Sequence, residues 1–183
     1  FLLTAGNQAQ TGMSALASSI LDDPRVTALG LHIEGFDDVQ AFDALGRRAR
    51  ELGKPIVVLK VGASEGAQAA SLSHTASLTG AHDVAMALLA RCGMAAVSDI
   101  ATFIETLKIL HVYGPLKGRT ISAMCCSGGE ASLLSDEGAH AGLIYPALQA
   151  EHASAIKSTL SDMVEIANPL DYHTFIWGDT ERM

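Results

Sequence analysis

The chain contains little cysteine, little positive charge and no long apolar run. Three cysteines in 183 residues, two of them adjacent, argue against both a disulfide framework and a metal site. Only 12 Lys and Arg stand against 20 Asp and Glu, and the net charge of −8 argues against a surface for nucleic acid or an anionic membrane. No apolar run approaches the roughly 20 residues of a membrane-spanning helix. We therefore expect a cytoplasmic protein that binds neither nucleic acid nor a membrane and whose chain forms no metal site.

Apolar residues are abundant instead. They make up 49% of the chain against 17% charged residues, which is enough for a large core and argues against disorder. The start of the chain, residues 1–4, has neither the charged beginning nor the apolar length of a signal peptide. It is typical of the end of a strand and has no initiator Met. This start predicts a fragment excised from a longer polypeptide.

Strand and helix patterns alternate along the chain, which predicts an α/β fold with parallel sheets covered by helices on both faces. Strands are expected at residues 27–33, 55–60, 94–97 and 120–126, and helices at 39–52, 84–92, 100–110, 131–139 and 147–160. Within the last predicted strand, Cys125 and Cys126 are expected to be buried as small apolar residues. A Gly- and Pro-containing break at residues 114–118 predicts a linker between a domain over 1–113 and a second one over 119–183.

His74 is the most informative residue of the sequence. It lies among small hydroxyl and apolar residues, after one apolar strand and before a helix. Small neighbours let an anionic substrate approach the ring, and a neutral imidazole is a good nucleophile near pH 7. The pattern is typical of a histidine that is itself phosphorylated. The alternative, an ordinary loop histidine with satisfied hydrogen bonds, is favoured for a histidine taken by itself.

Further candidates follow the other predicted strands, because ligands bind where the strands of such a sheet end. Glu34 follows the strand over 27–33, and its carboxylate is placed to accept a hydrogen bond from one ring nitrogen of His74. The alternative for Glu34 is a solvated turn residue. Lys60 lies near the same loop and has two alternatives, contact with phosphate or simple exposure.

Two turns are candidates for binding phosphate. Residues 4–8 form a turn that contains Gly6 and Asn7. The run Ser127-Gly128-Gly129 joins a strand to a helix and offers backbone N–H groups and a positive helix end to an anion. It is neither a nucleophile elbow nor a P-loop.

Together these segments resemble one family, the NDP-forming acyl-CoA synthetases, which include ADP-forming acetate–CoA ligase and are relatives of succinyl-CoA synthetase. The resemblance covers nearly the whole chain. The motifs that carry it are, in chain order, Gly6-Asn7, Asp22-Asp23-Pro24, Ile33-Glu34-Gly35, residues 53–60, Gly62, Ser73-His74-Thr75, Gly80, Gly118-Arg119, Ser127-Gly128-Gly129 and residues 168–171.

The resemblance implies two flavodoxin-like, three-layer CoA-ligase domains, the first without its opening strand and helix and the second cut near its end. It also implies that His74 is phosphorylated, that Glu34 orients it, and that Gly6, Asn7 and the Ser127-Gly128-Gly129 turn bind phosphate. The substrates would be a carboxylic acid, CoA and ATP with Mg, and the products acyl-CoA, ADP and phosphate. A CoA-binding domain and an ATP-grasp domain, in the same or a partner chain, would hold CoA and nucleotide, and a homo-oligomer is compatible with this family.

The sequence departs from the family pattern after Gly62. Ala63 stands where the family often has Arg, and Ala76-Ser77 stands where it commonly has Gly-Ala. The first departure bears on loop docking or on the choice of acid, and neither changes His74. A second hypothesis comes from another class: a non-ligating binding or regulatory module, fused to an acetyltransferase or present in a non-ligating homologue. Retention of both His74 and Glu34 argues against it.

Overall fold

The computed structural model describes residues 1–6, 8, 10–64, 66–67, 82–174 and 177–181. His74 and Asn7 lie outside the described residues. The chain divides into two compact units, Phe1–Leu116 and Lys117–Met183, and the division falls inside the segment 114–118. In the described part of the chain, no helix is long and apolar enough to cross a membrane.

The first unit is built on a parallel sheet of three strands in the order β1 (Leu29–Ile33), β2 (Ile56–Lys60) and β3 (Ala95–Val97). In the register of β1 and β2, Leu29 pairs with Ile56 and Ile33 pairs with Lys60. The helices are α1 (Met13–Leu21), α2 (Val39–Leu52), α3 (His82–Arg91) and α4 (Ile100–Tyr113). Because the strands are parallel, their carboxyl ends lie at one edge of the sheet.

Helices cover both faces of this sheet, as the sequence predicts for an α/β fold. Side chains alternate between the faces along a strand. On one face, alternate residues of β1 and β2 join α1, α2 and α3 in a single buried cluster, whose members include Leu21, Leu31, Phe42, Val58 and Leu89. On the other face α4 approaches β1 so closely that a Cβ at Gly30 would lie 2.6 Å from the side chains of Phe103 and Leu107. The unit therefore has three layers.

Local signals set the ends of two helices. Asp38 precedes α2, and its Oδ1 accepts hydrogen bonds from the N–H groups of Gln40 and Ala41 at 2.7 and 2.9 Å. Gly53 ends α2 in the left-handed conformation at φ 64°, which a glycine adopts without strain. Asp99 caps α4 through the N–H of Thr102 at 2.8 Å. These caps agree with the helix boundaries expected from the sequence.

The second unit contains a parallel pair of short strands, β4 (Met124–Cys125) and β5 (Leu170–Asp171), with the helices α5 (Gly128–His140) and α6 (Ala150–Thr159). An isolated parallel bridge joins Thr120 to Ile144. Tyr145 packs against α5 at Gly138 and donates a hydrogen bond from its hydroxyl to the carbonyl of Leu134 at 2.8 Å.

Several expectations about local structure are wrong. Residues 1–4 form no strand, and α1 follows them although its sequence, rich in Ala and Ser, carries a weak helical pattern. The strand expected over 120–126 is reduced to β4 and the bridge at Thr120. Between them, Ile121 bonds to Ile144 and Ala123 to Leu170, so the segment changes its pairing partner instead of forming one continuous strand. Cys125 is buried as expected, but Cys126 lies beyond β4 and is only half-buried, since it belongs to the turn that begins α5.

Candidate functional site

Glu34 directly follows β1, at the carboxyl edge of the sheet. The backbone of β2 continues the pairing past this point, since the N–H of Val61 donates to the carbonyl of Ile33 at 3.1 Å. Glu34 therefore lies beside the point where the chain leaves β2 toward residues 62–81, and its carboxylate is near enough to Lys60 to act on it electrostatically. Glu34 is half-buried, so its charge is felt more strongly than that of a fully solvated carboxylate.

Lys60 ends β2 next to Glu34 and is buried, with only 6% of its surface exposed. The alternative of an exposed lysine is therefore wrong. Its Nζ donates a hydrogen bond to the carbonyl of Val61 at 2.5 Å. Burial lowers the pKa of Lys60, and the negative charge of Glu34 opposes that change. Sequence reasoning treated this lysine as undecided because β2 reads as an apolar strand up to its last residue.

The start of α1 is tied to the loop that carries Glu34. Oδ2 of Asp37 accepts hydrogen bonds from the hydroxyl of Ser14 at 2.6 Å and from its N–H at 3.2 Å. Oε1 of Gln8 accepts from the N–H of Met13 at 2.8 Å. Two of the free N–H groups in the first turn of α1 are thus satisfied by side chains from outside the helix. Sequence reasoning missed Asp37 because its partner is 23 residues away.

Gly6 lies in an exposed turn ahead of this helix start. Its φ of 55° is in the left-handed region, and an added Cβ would meet no atom within 4 Å. Two residues later, Gln8 closes the turn by donating its N–H to the carbonyl of Ala5 at 3.2 Å. The conformation explains the glycine as a requirement of the turn. It leaves the phosphate-binding role of Gly6 as a hypothesis.

The run Ser127-Gly128-Gly129 opens α5 in the second unit. Ser127 is the N-cap, and its Oγ accepts a hydrogen bond from the N–H of Glu130 at 3.3 Å. The carboxylate of Glu130 turns back and accepts from the N–H and from the thiol of Cys126, both at 3.0 Å. This reciprocal arrangement is close to a capping box, and it uses part of the anion-binding capacity of the helix start for Glu130 itself.

The charges around this helix start perturb its titratable groups. The hydrogen bond to Glu130 raises the pKa of the Cys126 thiol, and the same bond lowers the pKa of Glu130. At the end of β5, Asp171 lies so close that a Cβ on Gly128 would be 3.4 Å from its Oδ2. Two carboxylates therefore flank the first turn of α5, and a phosphate bound there would be held beside negative charge.

Asn168 holds the neighbouring segments together just before β5. Its Oδ1 accepts from the N–H of Ala123 at 3.1 Å, and its Nδ2 donates to the carbonyls of Ile121 and Pro146 at 2.9 and 3.0 Å. Sequence reasoning singled out Asn168 only as part of a motif in an irregular tail. The structure shows that it connects two stretches of backbone, residues 121–123 and Pro146, that precede it by 22 to 47 residues.

The structure thus brings Glu34 and Lys60 together in the first unit and gathers Ser127, Gly128 and Gly129 at one helix start in the second. His74 and Asn7 fall in the part of the chain that is not described. Among the described residues, no group of three or more His, Cys, Asp and Glu side chains is arranged to hold a metal ion.

Known proteins resemble the chain along almost its whole length. It is 28% identical over 169 residues to a trans-feruloyl-CoA synthase from an unidentified prokaryote, a match that covers 92% of this chain and 24% of that protein. The identity is also 28% over 169 residues to the alpha subunit of ADP-forming acetate–CoA ligase II of Pyrococcus furiosus, with 92% of this chain and 36% of that subunit covered. The chain therefore spans about a quarter to a third of these relatives.

The fold is also that of a solved enzyme. Dinucleotide-forming acetyl-coenzyme A synthetase 1 of Ca. Korarchaeum cryptofilum, in complex with phosphate and ADP, superposes with a TM-score of 0.82 at 22% identity, over 94% of this chain and 37% of that one. A family model described as the succinyl-CoA ligase like flavodoxin domain matches residues 2–110, which is more than half of the 183 residues. The chain belongs to this family of succinyl-CoA ligase-like flavodoxin domains.

Proposed function

We propose that this chain is the phosphohistidine-bearing part of an NDP-forming acyl-CoA synthetase. The overall reaction is that of a carboxylic acid with CoA and ATP to give acyl-CoA, ADP and phosphate. Membership of the succinyl-CoA ligase-like family and similarity to an ADP-forming acetate–CoA ligase support this activity. The nucleotide and CoA would be bound mainly by an ATP-grasp domain and a CoA-binding domain, in the same or a partner chain.

The proposed chemistry has three steps. A ring nitrogen of His74 attacks the γ-phosphorus of ATP, so that a P–N bond forms and ADP leaves. An oxygen of the acid then attacks that phosphorus, which releases the imidazole and forms an acyl phosphate. Finally the thiol of CoA attacks the acyl carbon, and phosphate leaves as the thioester forms and the thiol proton is lost. The same steps in reverse make ATP from ADP, phosphate and acyl-CoA.

The observation that carries the proposal is the position of Glu34. It is a half-buried carboxylate at the carboxyl end of β1, beside the backbone that leaves β2 toward the segment with His74. In the proposed role it accepts a hydrogen bond from one ring N–H of His74. That bond would fix the tautomer and leave the other nitrogen free to attack phosphorus.

Phosphate binding is proposed for two turns, Gly6-Asn7 in the first unit and Ser127-Gly128-Gly129 in the second. The first turn of α5 supplies N–H groups and the positive end of a helix dipole, which favour a phosphate and have to outweigh the nearby carboxylates of Glu130 and Asp171. Magnesium would accompany the nucleotide in the ATP-grasp domain and neutralise part of its charge.

The test is phosphorylation of the full-length protein with ATP labelled at the γ-phosphate, in the presence of its ATP-grasp partner chain where that domain is separate. We expect an acid-labile, base-stable phosphoprotein that disappears in His74→Ala and persists in His140→Ala, a control at an exposed histidine of α5. Glu34→Gln should form it at least tenfold more slowly with an unchanged melting temperature, since the substitution removes charge but little volume. Label that survives in His74→Ala would contradict the role of that residue. A protein that takes up no label at all would instead be a non-ligating binding module.

A further inference from the structure

Lys60 places a nearly inaccessible ammonium group at the carboxyl edge of the sheet. The side chain is 6% exposed. Its register partner is Ile33, and both belong to the face that also carries Leu31 and Val58 in the buried cluster. Lys60 therefore continues an apolar face to the point where β2 ends, and its charge lies at the edge where ligands of parallel sheets bind.

The hydrogen bonds of this ammonium are incomplete. A lysine ammonium has three N–H donors and no acceptor. Among the described residues Nζ of Lys60 has one hydrogen-bond acceptor, the carbonyl of Val61. Water has little access to the remaining donors because the side chain is buried, and buried donors are normally satisfied. Counted over the described residues, two donors are thus left for oxygen atoms of a ligand.

Lys54 shows what a purely structural lysine looks like at the opposite end of the same strand. It precedes β2, and its Nζ donates to the carbonyls of Leu21 and Asp23, at 2.5 and 2.8 Å. Lys54 thereby ties the turn that follows α1 to the start of β2. Within the described part of the chain, Lys60 bonds the carbonyl of the residue next to it and connects no distant segments. A buried charge with no such structural role costs stability unless a ligand compensates it.

The local charge favours one class of ligand. Burial lowers the pKa of Lys60 and the negative charge of Glu34 opposes that change, so the lysine has a carboxylate as its charged neighbour at this edge. An anionic oxygen that approached Glu34 alone would be repelled, whereas one that approached Lys60 would find a desolvated cation with free donors. An oxyanion at this edge is therefore favoured on the side of Lys60 and disfavoured on the side of Glu34.

We infer that Lys60 binds an anionic oxygen of the substrate at the carboxyl edge of β2, next to Glu34. The inference rests on the proposed function, in which that oxygen belongs either to the phosphoryl group or to the carboxylate of the acid. In both cases the ammonium neutralises charge beside the attacking or leaving group. It supplies a positive side chain that backbone N–H groups and helix ends do not.

The inference is tested by equilibrium binding to the full-length protein, with inorganic phosphate and acetate as separate probes. Lys60→Met keeps the length of the side chain and removes its charge, and Lys60→Arg restores a cation. Lys54→Met is the matched control at the other end of β2. We expect Lys60→Met to raise the dissociation constant of at least one probe tenfold or more. Lys60→Arg should recover most of the affinity, and Lys54→Met should leave both constants within twofold of the original.

The two probes separate the two sources of the oxyanion. A loss confined to phosphate assigns Lys60 to the phosphoryl group, and a loss confined to acetate assigns it to the acid. Unchanged binding of both probes to a folded Lys60→Met protein overturns the inference. If that variant does not fold, the original protein with ¹³C-labelled lysine side chains decides the question. Saturating probe should then raise the pKa of Lys60 and leave Lys54 unaffected, and an unmoved Lys60 signal overturns the inference.

The outcome is independent of the phosphohistidine test. A protein that forms phosphohistidine but binds both probes equally well with and without Lys60 keeps the proposed function and loses this inference. A protein whose binding depends on Lys60 but which never labels at His74 keeps the oxyanion site and loses the ligase mechanism.

Discussion

Asp37 and Ser14 join the loop after β1 to the first turn of α1. One carboxylate oxygen of Asp37 accepts both the hydroxyl and the N–H of Ser14, at 2.6 and 3.2 Å. The same loop begins with Glu34, the side chain proposed to orient the nucleophile. Glu34 is three residues from Asp37, whose position these hydrogen bonds fix. A negative charge at this end of α1 is also favoured by the helix dipole. The pair of Asp37 and Ser14 thus stabilises the start of α1 and also holds the loop that carries Glu34.

Asp37→Asn should lower the free energy of unfolding by about 1–2 kcal/mol. The amide loses the charge at the helix start, and one of its two polar atoms can no longer accept from Ser14. Urea unfolding measures the change. Glu105→Gln is the control, because Glu105 is an exposed partner of Lys108 in α4 and its loss should cost less than about 0.5 kcal/mol. Equal losses in the two variants would show that Asp37 contributes no more than a surface ion pair.

Gly46 lets α2 approach the end of α3. A Cβ at this position would lie 2.4 Å from the carbonyl oxygen of Cys92, which is backbone and cannot swing away. Gly46→Ala should therefore destabilise the protein by about 1–3 kcal/mol, although alanine is the better helix former. In Gly66→Ala the added methyl meets open space, and stability should be unchanged or slightly higher. A Gly46→Ala protein as stable as the original in thermal unfolding would refute the close approach.

Asn168→Asp should destabilise the second unit by about 1–3 kcal/mol, since a carboxylate would face the carbonyls of Ile121 and Pro146 in place of an N–H donor. Gln149→Glu makes the same chemical change at the exposed start of α6, where a negative charge is tolerated or favoured. Hydrogen exchange at Ala123 and Leu170 reports the loss locally. Unaltered protection in Asn168→Asp would mean that the amide does not hold these segments.

The Cys126 thiol should respond to Glu130 in a pH-dependent way. Its pKa is raised because it donates a hydrogen bond to that carboxylate, so less of it is thiolate at a given pH. Glu130→Gln removes the charge, and the pKa should fall. Alkylation by iodoacetamide should then reach half its maximal rate at a lower pH in the variant. Buried Cys92 serves as the internal control, and identical profiles for Cys126 in both proteins would disprove the coupling.

Much of the fold could be read from the chain because its signals are local. The β-branched run before Lys60 predicts β2, and the apolar face of residues 39–52 predicts α2 to its ends. Asp99 before α4 is a capping residue by type and position. Each of these features depends on residues a few positions apart. These features can therefore be predicted without knowing which elements pack against them.

Some residues of the candidate site could likewise be predicted from the sequence, whereas the surroundings of others depend on packing. Glu34, and the run from Ser127 to Gly129, were found because they follow strands, and both lie where expected along the chain. The burial of Lys60 was not predictable, since it depends on the cluster of helices that covers its face of the sheet. Glu130 was missed for another reason. Its carboxylate serves Cys126 and the helix start, and such a role is decided by side-chain direction within one turn.

The amino-acid sequence by itself determined the alternation of strands and helices, the caps and the order of motifs that shows the family. Tertiary structure decided which polar groups became partners. Asp37 reaches Ser14 across 23 residues, and Asn168 reaches Ala123 across 45. Such pairs arise only when separate elements pack. Periodicity and propensity describe neighbours along the chain, whereas burial and hydrogen bonding describe neighbours in space.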